Sequence, residues 1–172
     1  MNLSDIASIV EIIGIFAIFF GLFFGAMQLK QDRIQRRDLA IIECTRLFED
    51  EGFTEAYRII NELPAGLSKT QIEELDEQYR SAAIRIAMKF ETLGMLVHRG
   101  VIPLDAMEEL IGGGTLATWR ILEGYIKETR QISSNTMFME WFQWLVAQLE
   151  KRNSLNRQPA FITYANWTEP NS

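Results

Sequence analysis

The stretch that most constrains this chain is "IIGIFAIFFGLFFGAM", Ile12 to Met27, which holds no charged or strongly polar side chain. A surface helix keeps one polar face, and this run is apolar all round. Ten of its residues are Ile, Leu or Phe. At roughly −0.3 to −0.6 kcal/mol each, composition favours insertion into a bilayer by about 3 to 6 kcal/mol. With the flanking turns from Ile9 to Leu29 the helix would reach about 31 Å, the thickness of the hydrocarbon layer. The sequence therefore predicts a transmembrane helix over 9–29 that continues into a small helical bundle.

An export signal would begin with positive charge, whereas "MNLSDIASIVE" carries two acids and no Lys or Arg. The positive residues follow the run, at Lys30, Arg33, Arg36 and Arg37. The positive-inside tendency then predicts a single-pass protein with an extracytoplasmic N-terminus over 1–8 and the remaining chain in the cytosol. Ala17, Gly21 and Gly25 recur every fourth residue, a spacing that lets a second backbone come close, so the span is expected to allow a homo-oligomer. Glu11 is expected near the outer end, in reach of the headgroups.

Beyond the run the pattern stays helical, with no series of strands, and the fold class is all-α. Ile34, Ile41, Cys44 and Phe48 share a face, which predicts one long helix leaving the membrane. Thr54 to Glu62 reads as a short helix closed by Pro64 and Gly66. Ser68 caps the next, with Gln71 three residues on in a capping-box relation. Ala83, Ile86, Phe90, Leu93 and Val97 repeat at three and four, and Gly100 follows as the stop. A helix from Pro103 or Asp105 is expected to end at Gly112, Gly113 and Gly114, with Thr115 capping a new one through Leu116, Trp119, Leu122 and Ile126. Phe138, Trp141, Phe142, Leu145 and Leu149 supply the last helix, expected to pack on the one from residue 79. The cytosolic helical domain is placed at 30–152. The segment 153–172 reads as an irregular tail whose Phe161, Ile162, Tyr164 and Trp167 could dock on the domain or on another subunit.

Chemistry is sparse. One cysteine, Cys44, and one histidine, His98, exclude an intrachain disulfide framework and leave no cluster of soft metal ligands. A net charge of −6 argues against nucleic acid as a partner. Glu73, Glu74, Asp76 and Glu77 read as a solvated face rather than a divalent-metal site. Three consecutive glycines without a Lys-Ser/Thr pair read as a flexible break and close helix approach rather than a phosphate loop. Glu91 and His98 lie seven apart, about 10 Å along a helix, too far for a direct acid–base pair. Glu91, Arg120 and Arg130 are candidates for a structural ion-pair network. No catalytic, cofactor or metal residues are assigned.

Phe90-Glu91 with Leu93-Gly94, Gly100, Ile102-Pro103, Trp119, Arg130 and the closing Trp141-Phe142 with Trp144-Leu145 complete a pattern over roughly residues 7–150. In it the chain resembles an uncharacterised bacterial family of small single-span proteins with a helical cytosolic domain. The resemblance implies an architecture and a place in the bacterial cytoplasmic (inner) membrane, and brings no activity. The functional expectation is a membrane-anchored cytosolic interaction, scaffold or regulatory module, with membrane lipid and a protein as partners. An oligomeric channel-like or membrane-perturbing protein and a membrane-bound enzyme of unidentified reaction are the alternatives.

Overall fold

The computed structural model describes residues 3–153, 158 and 160–168; within the first helix it describes the side chains of 14, 16, 18–31, 35, 38, 39, 41, 42, 44–46 and 48. Among the described residues the chain is all helical. In order come α1 (Leu3–Phe48), α2 (Glu51–Asn61), α3 (Lys69–Glu74), α4 (Glu77–His98), α5 (Leu104–Ser133), α6 (Glu140–Asn153) and α7 (Ala160–Thr163). Met1–Glu43 and Cys44–Ser172 form two compact units.

In the first unit, the described apolar side chains Phe16, Ile18, Phe19, Phe20, Leu22, Phe23, Phe24, Met27 and Leu29 are all exposed. The expected membrane span over 9–29 is corrected: among the described residues no helix is long and apolar enough to cross a membrane. α1 is 46 residues long. With the span go the lipid partner and the single-pass inner-membrane placement, N-terminus outside and domain in the cytosol. The membrane-anchored module, the channel-like alternative, the membrane-bound enzyme and the single-span part of the family resemblance go with them. Self-association through Ala17, Gly21 and Gly25 was likewise an expectation about packing inside a bilayer and loses that basis. Gly21 and Gly25 have nothing within 4 Å of an added Cβ, while the side chains of Glu11, Ala17 and Ile34 lie outside the described residues.

In the second unit, α2, α4, α5 and α6 surround one core whose centre is aromatic. Phe90 of α4 stacks on Phe142 of α6 with centroids 5.0 Å apart. Trp119 of α5 meets Phe142 edge-on at 5.1 Å, and Phe53 of α2 meets Phe90 edge-on at 6.2 Å. All four are buried. Four helices thus meet in one chain of rings, each contact adding to the area that its ring removes from water. Cys44 is buried in the same core, and Phe48 packs against it.

The most extensive pairing is α4 with α6. Ala83, Ala87 and Gly94 put a small, buried stripe on α4, and at Gly94 an added Cβ would stand 2.1 Å from the Trp141 carbonyl oxygen. α4 lies as close as a glycine allows. On α5, an added Cβ at Gly124 would sit 2.6 Å from the Leu67 carbonyl oxygen, and the Gly66 N–H donates to the Arg120 carbonyl at 2.9 Å. These contacts seat the loop before α3 on α5.

Helix ends account for most of the polar contacts that organise the bundle. Ser68 and Gln71 form the expected capping box. Asp50 caps α2 by accepting from the Gly52 N–H at 3.1 Å and pairs with Lys89 at 3.1 Å. The Lys89 hydrogen bond, then that of Gly52, holds the Asp50 carboxyl below the usual carboxylate range. Two further helices are capped from a neighbouring element. Glu128 accepts from the Lys69 N–H at 2.6 Å at the start of α3, and Glu91 accepts from the Phe142 N–H at 2.8 Å in the first turn of α6. A carboxylate at a helix N-terminus meets both an orphan donor and the positive end of the macrodipole.

The α5–α6 turn needs this support because Met139 adopts a left-handed φ of 57°, a region that costs an L residue about 1 kcal/mol or more. Arg130 holds the turn from the other side, donating to the Phe138 carbonyl at 2.7 Å and the Met139 carbonyl at 3.1 Å. Replacing Glu91 by Ala is therefore expected to lower stability by about 1.5–3 kcal/mol, the range for a hydrogen bond to a charged group. Gln, which keeps an acceptor, should lose less. Urea unfolding of the two variants checks the order.

Thr118 is buried, and among the described residues its hydroxyl has no hydrogen-bond partner. Replacing it by Val removes the unsatisfied group at nearly constant shape, and a gain of about 1 kcal/mol is expected in the same assay.

Candidate cleft at the break in α5

The break expected at the glycines falls one residue before them: α5 is two helical segments that meet at a kink at Ile111, with φ −148° and ψ 15°, and the second runs on to Ser133. Thr115, expected as a cap, is buried, and its hydroxyl donates back to the Ile111 carbonyl at 3.0 Å. The three glycines after the kink have different surroundings. An added Cβ at Gly114 would lie 2.6 Å from the Tyr57 hydroxyl, and one at Gly112 would make ordinary contact with Leu149. Gly113 has nothing within 4 Å.

That open side faces a cleft of about 600 Å³. Gly112, Gly113 and Leu116 of α5 and Leu149 of α6 give it apolar lining, and Glu108 and Glu109 add two carboxylates. The Glu108 carboxylate, nearly buried, accepts from Arg152 at 3.1 Å, which ties α5 to the end of α6. Gln158, Ala160, Thr163 and Tyr164 from the C-terminal segment complete the lining. Of the four tail residues expected to be able to dock on the domain or on another subunit, Tyr164 lines this cleft, and all four, Phe161, Ile162, Tyr164 and Trp167, stand exposed.

The lone ionisable residues lie elsewhere. Exposed His98 rests against Trp141, centroids 4.5 Å apart, and meets Trp144 edge-on at 5.3 Å. Glu91 is committed to the Phe142 N–H, so the two do not assemble into an acid–base pair. Among the described residues Glu91 is not ion-paired with Arg130; Arg130 binds carbonyls and Gln143 instead. Burial pushes the Cys44 thiol up, which lowers its thiolate fraction and its reactivity. Glu73 pairs with Lys69 and Glu77 with Arg80. Sequence reading missed the cleft because Leu116 and Leu149 read as ordinary core positions. The one available signal was three adjacent glycines inside a helical pattern.

Substituting adjacent glycines should separate their roles. Gly113→Ala is expected to raise stability by about 0.5–1 kcal/mol, since a helical glycine with open space loses only its excess chain entropy. Gly114→Ala must displace Tyr57, which stacks on Phe53, and is expected to cost about 1 kcal/mol net. Thermal or urea unfolding of the pair reads the sign directly.

Compared with known families, the chain matches the one described as a domain of unknown function (DUF4760) over residues 8–149. Comparison with curated proteins and with solved structures gives no match.

Proposed function

Because the chain belongs to the DUF4760 family, whose description names no activity, we propose a function from the cleft itself: a binding module for a small neutral amphiphile. The observation that carries the reading is the coincidence of the open glycine face at Gly113 with the break in α5 and the cleft of about 600 Å³ beside it. That volume suits a small organic ligand. An apolar chain or ring fits against Gly113, Leu116 and Leu149, while Gln158 and Thr163 offer hydrogen bonds to a hydroxyl or amide head. The two carboxylates in the lining disfavour an anion, and the Arg152 partner of Glu108 means that no cation is demanded there.

The test uses octyl glucoside below its micelle concentration as the probe, followed through the backbone amide shifts of the full chain. Saturable shifts at Gly112, Gly113 and Tyr164 are expected, with affinity about tenfold or more weaker when Gly113→Trp fills the cleft. Shifts that are absent, or equal in wild type and variant, overturn the reading.

A further inference from the structure

We propose that the C-terminal turn Ala160–Tyr164 is a detachable cover of this cleft, which opens while the helical body stays folded. The ligand that the cover would admit rests on the reading above; the opening itself does not.

The turn supplies one side of the cleft, and its own residues bury little surface in doing so. The recorded hydrogen bonds of its segment stay within it: Tyr164 N–H to the Ala160 carbonyl at 2.9 Å, Ala165 N–H to Ile162 at 3.4 Å and Trp167 N–H to Tyr164 at 3.0 Å. The Thr163 hydroxyl donates to the Gln158 carbonyl at 3.2 Å.

Every described residue from Ala160 to Thr168 is exposed. Phe161 at 78% and Trp167 at 64% exposure bury little of the apolar surface that could have fastened the turn. A segment with few buried contacts and only local hydrogen bonds opens at a free energy far below that of global unfolding. What it leaves behind is the side of the cleft formed by Gly113, Leu116 and Leu149. The arrangement is that of a cover whose release sets when that side can be reached.

Amide hydrogen exchange of the full chain, without any ligand, tests this. In the wild type the amides of Tyr164 and Trp167 should exchange at least about 100-fold faster than those of Phe90 and Phe142, yet be measurably protected. Gly113→Trp places an indole where the cover sits. It should raise exchange at Tyr164 and Trp167 by about tenfold while the α4 and α6 amides keep their wild-type rates. Tyr164→Ala, which weakens the cover from its own side, should do the same. Wild-type protection equal to the body's would show that the turn does not detach on its own. Turn amides unmoved by both substitutions, with the body intact, would show that the cleft does not hold them. Either result overturns the cover and leaves the octyl glucoside titration to decide the ligand reading separately.

Discussion

Alanine in place of Gly94 is expected to destabilise the bundle by about 3 kcal/mol or more, the largest effect of adding a single methyl anywhere in the second unit. The reason is what the methyl meets. Its carbon would stand 2.1 Å from the oxygen and 2.6 Å from the carbon of the Trp141 carbonyl, and neither can rotate away as a side-chain tip can. Relief requires α4 and α6 to move apart, and that displacement loosens the stack of Phe90 on Phe142 along with the Glu91 cap of α6. Insertion of one methylene into a tight core costs about 1–3 kcal/mol even when side chains can give. A backbone obstacle belongs at or beyond the top of that range. Gly113→Ala, the same chemical change in open space, is the control of opposite sign. Urea midpoints for both, at unchanged slope, would establish that packing and not glycine content sets the result.

How far the sequence disclosed this fold depends on the range of the interaction involved. The Ser68–Gln71 capping box was legible because both partners lie within one turn. The apolar stripe of α4 and the left-handed Gly100 (φ 69°) were legible for the same local reason. A break near the three glycines was legible as well, since each glycine costs a helix about 1 kcal/mol against alanine, and the kink falls at Ile111. What surrounds it was not legible: the Thr115 hydroxyl turns back to the Ile111 carbonyl instead of capping, and Gly114 packs against Tyr57. Glu91 was expected in an ion-pair network with Arg120 and Arg130, and its actual partner, a backbone N–H 51 positions away, leaves no mark in the local pattern. The membrane span read from the composition and length of the apolar run is the reading that did not hold, since among the described residues no helix is long and apolar enough to cross a membrane. The cleft was least legible of all, since its apolar side is built from residues that look like core and its opening from a glycine that contributes only the absence of a side chain.

Phe142→Ala is expected to cost about 3–5 kcal/mol, the range for removing a fully buried phenylalanine where the surroundings collapse only in part. Phe142 is buried to 0% exposure and is the ring on which two helices converge, stacked on Phe90 and met edge-on by Trp119. Its loss strips a partner from α4 and from α5 at once. The backbone of the same residue carries the N–H that Glu91 accepts, so the ring and the cap can be separated experimentally. Phe142→Ala leaves the N–H in place, and Glu91→Ala leaves the ring. Both act on the first turn of α6, so the double variant should lose less than the sum of the single losses, with a coupling of about 0.5–3 kcal/mol. Phe161→Ala removes an identical side chain from the exposed C-terminal turn and should change global stability by no more than about 0.5 kcal/mol. A phenylalanine in this protein is worth what it touches: the ring at 142 joins three helices, and the ring at 161 lies on a segment free to leave them.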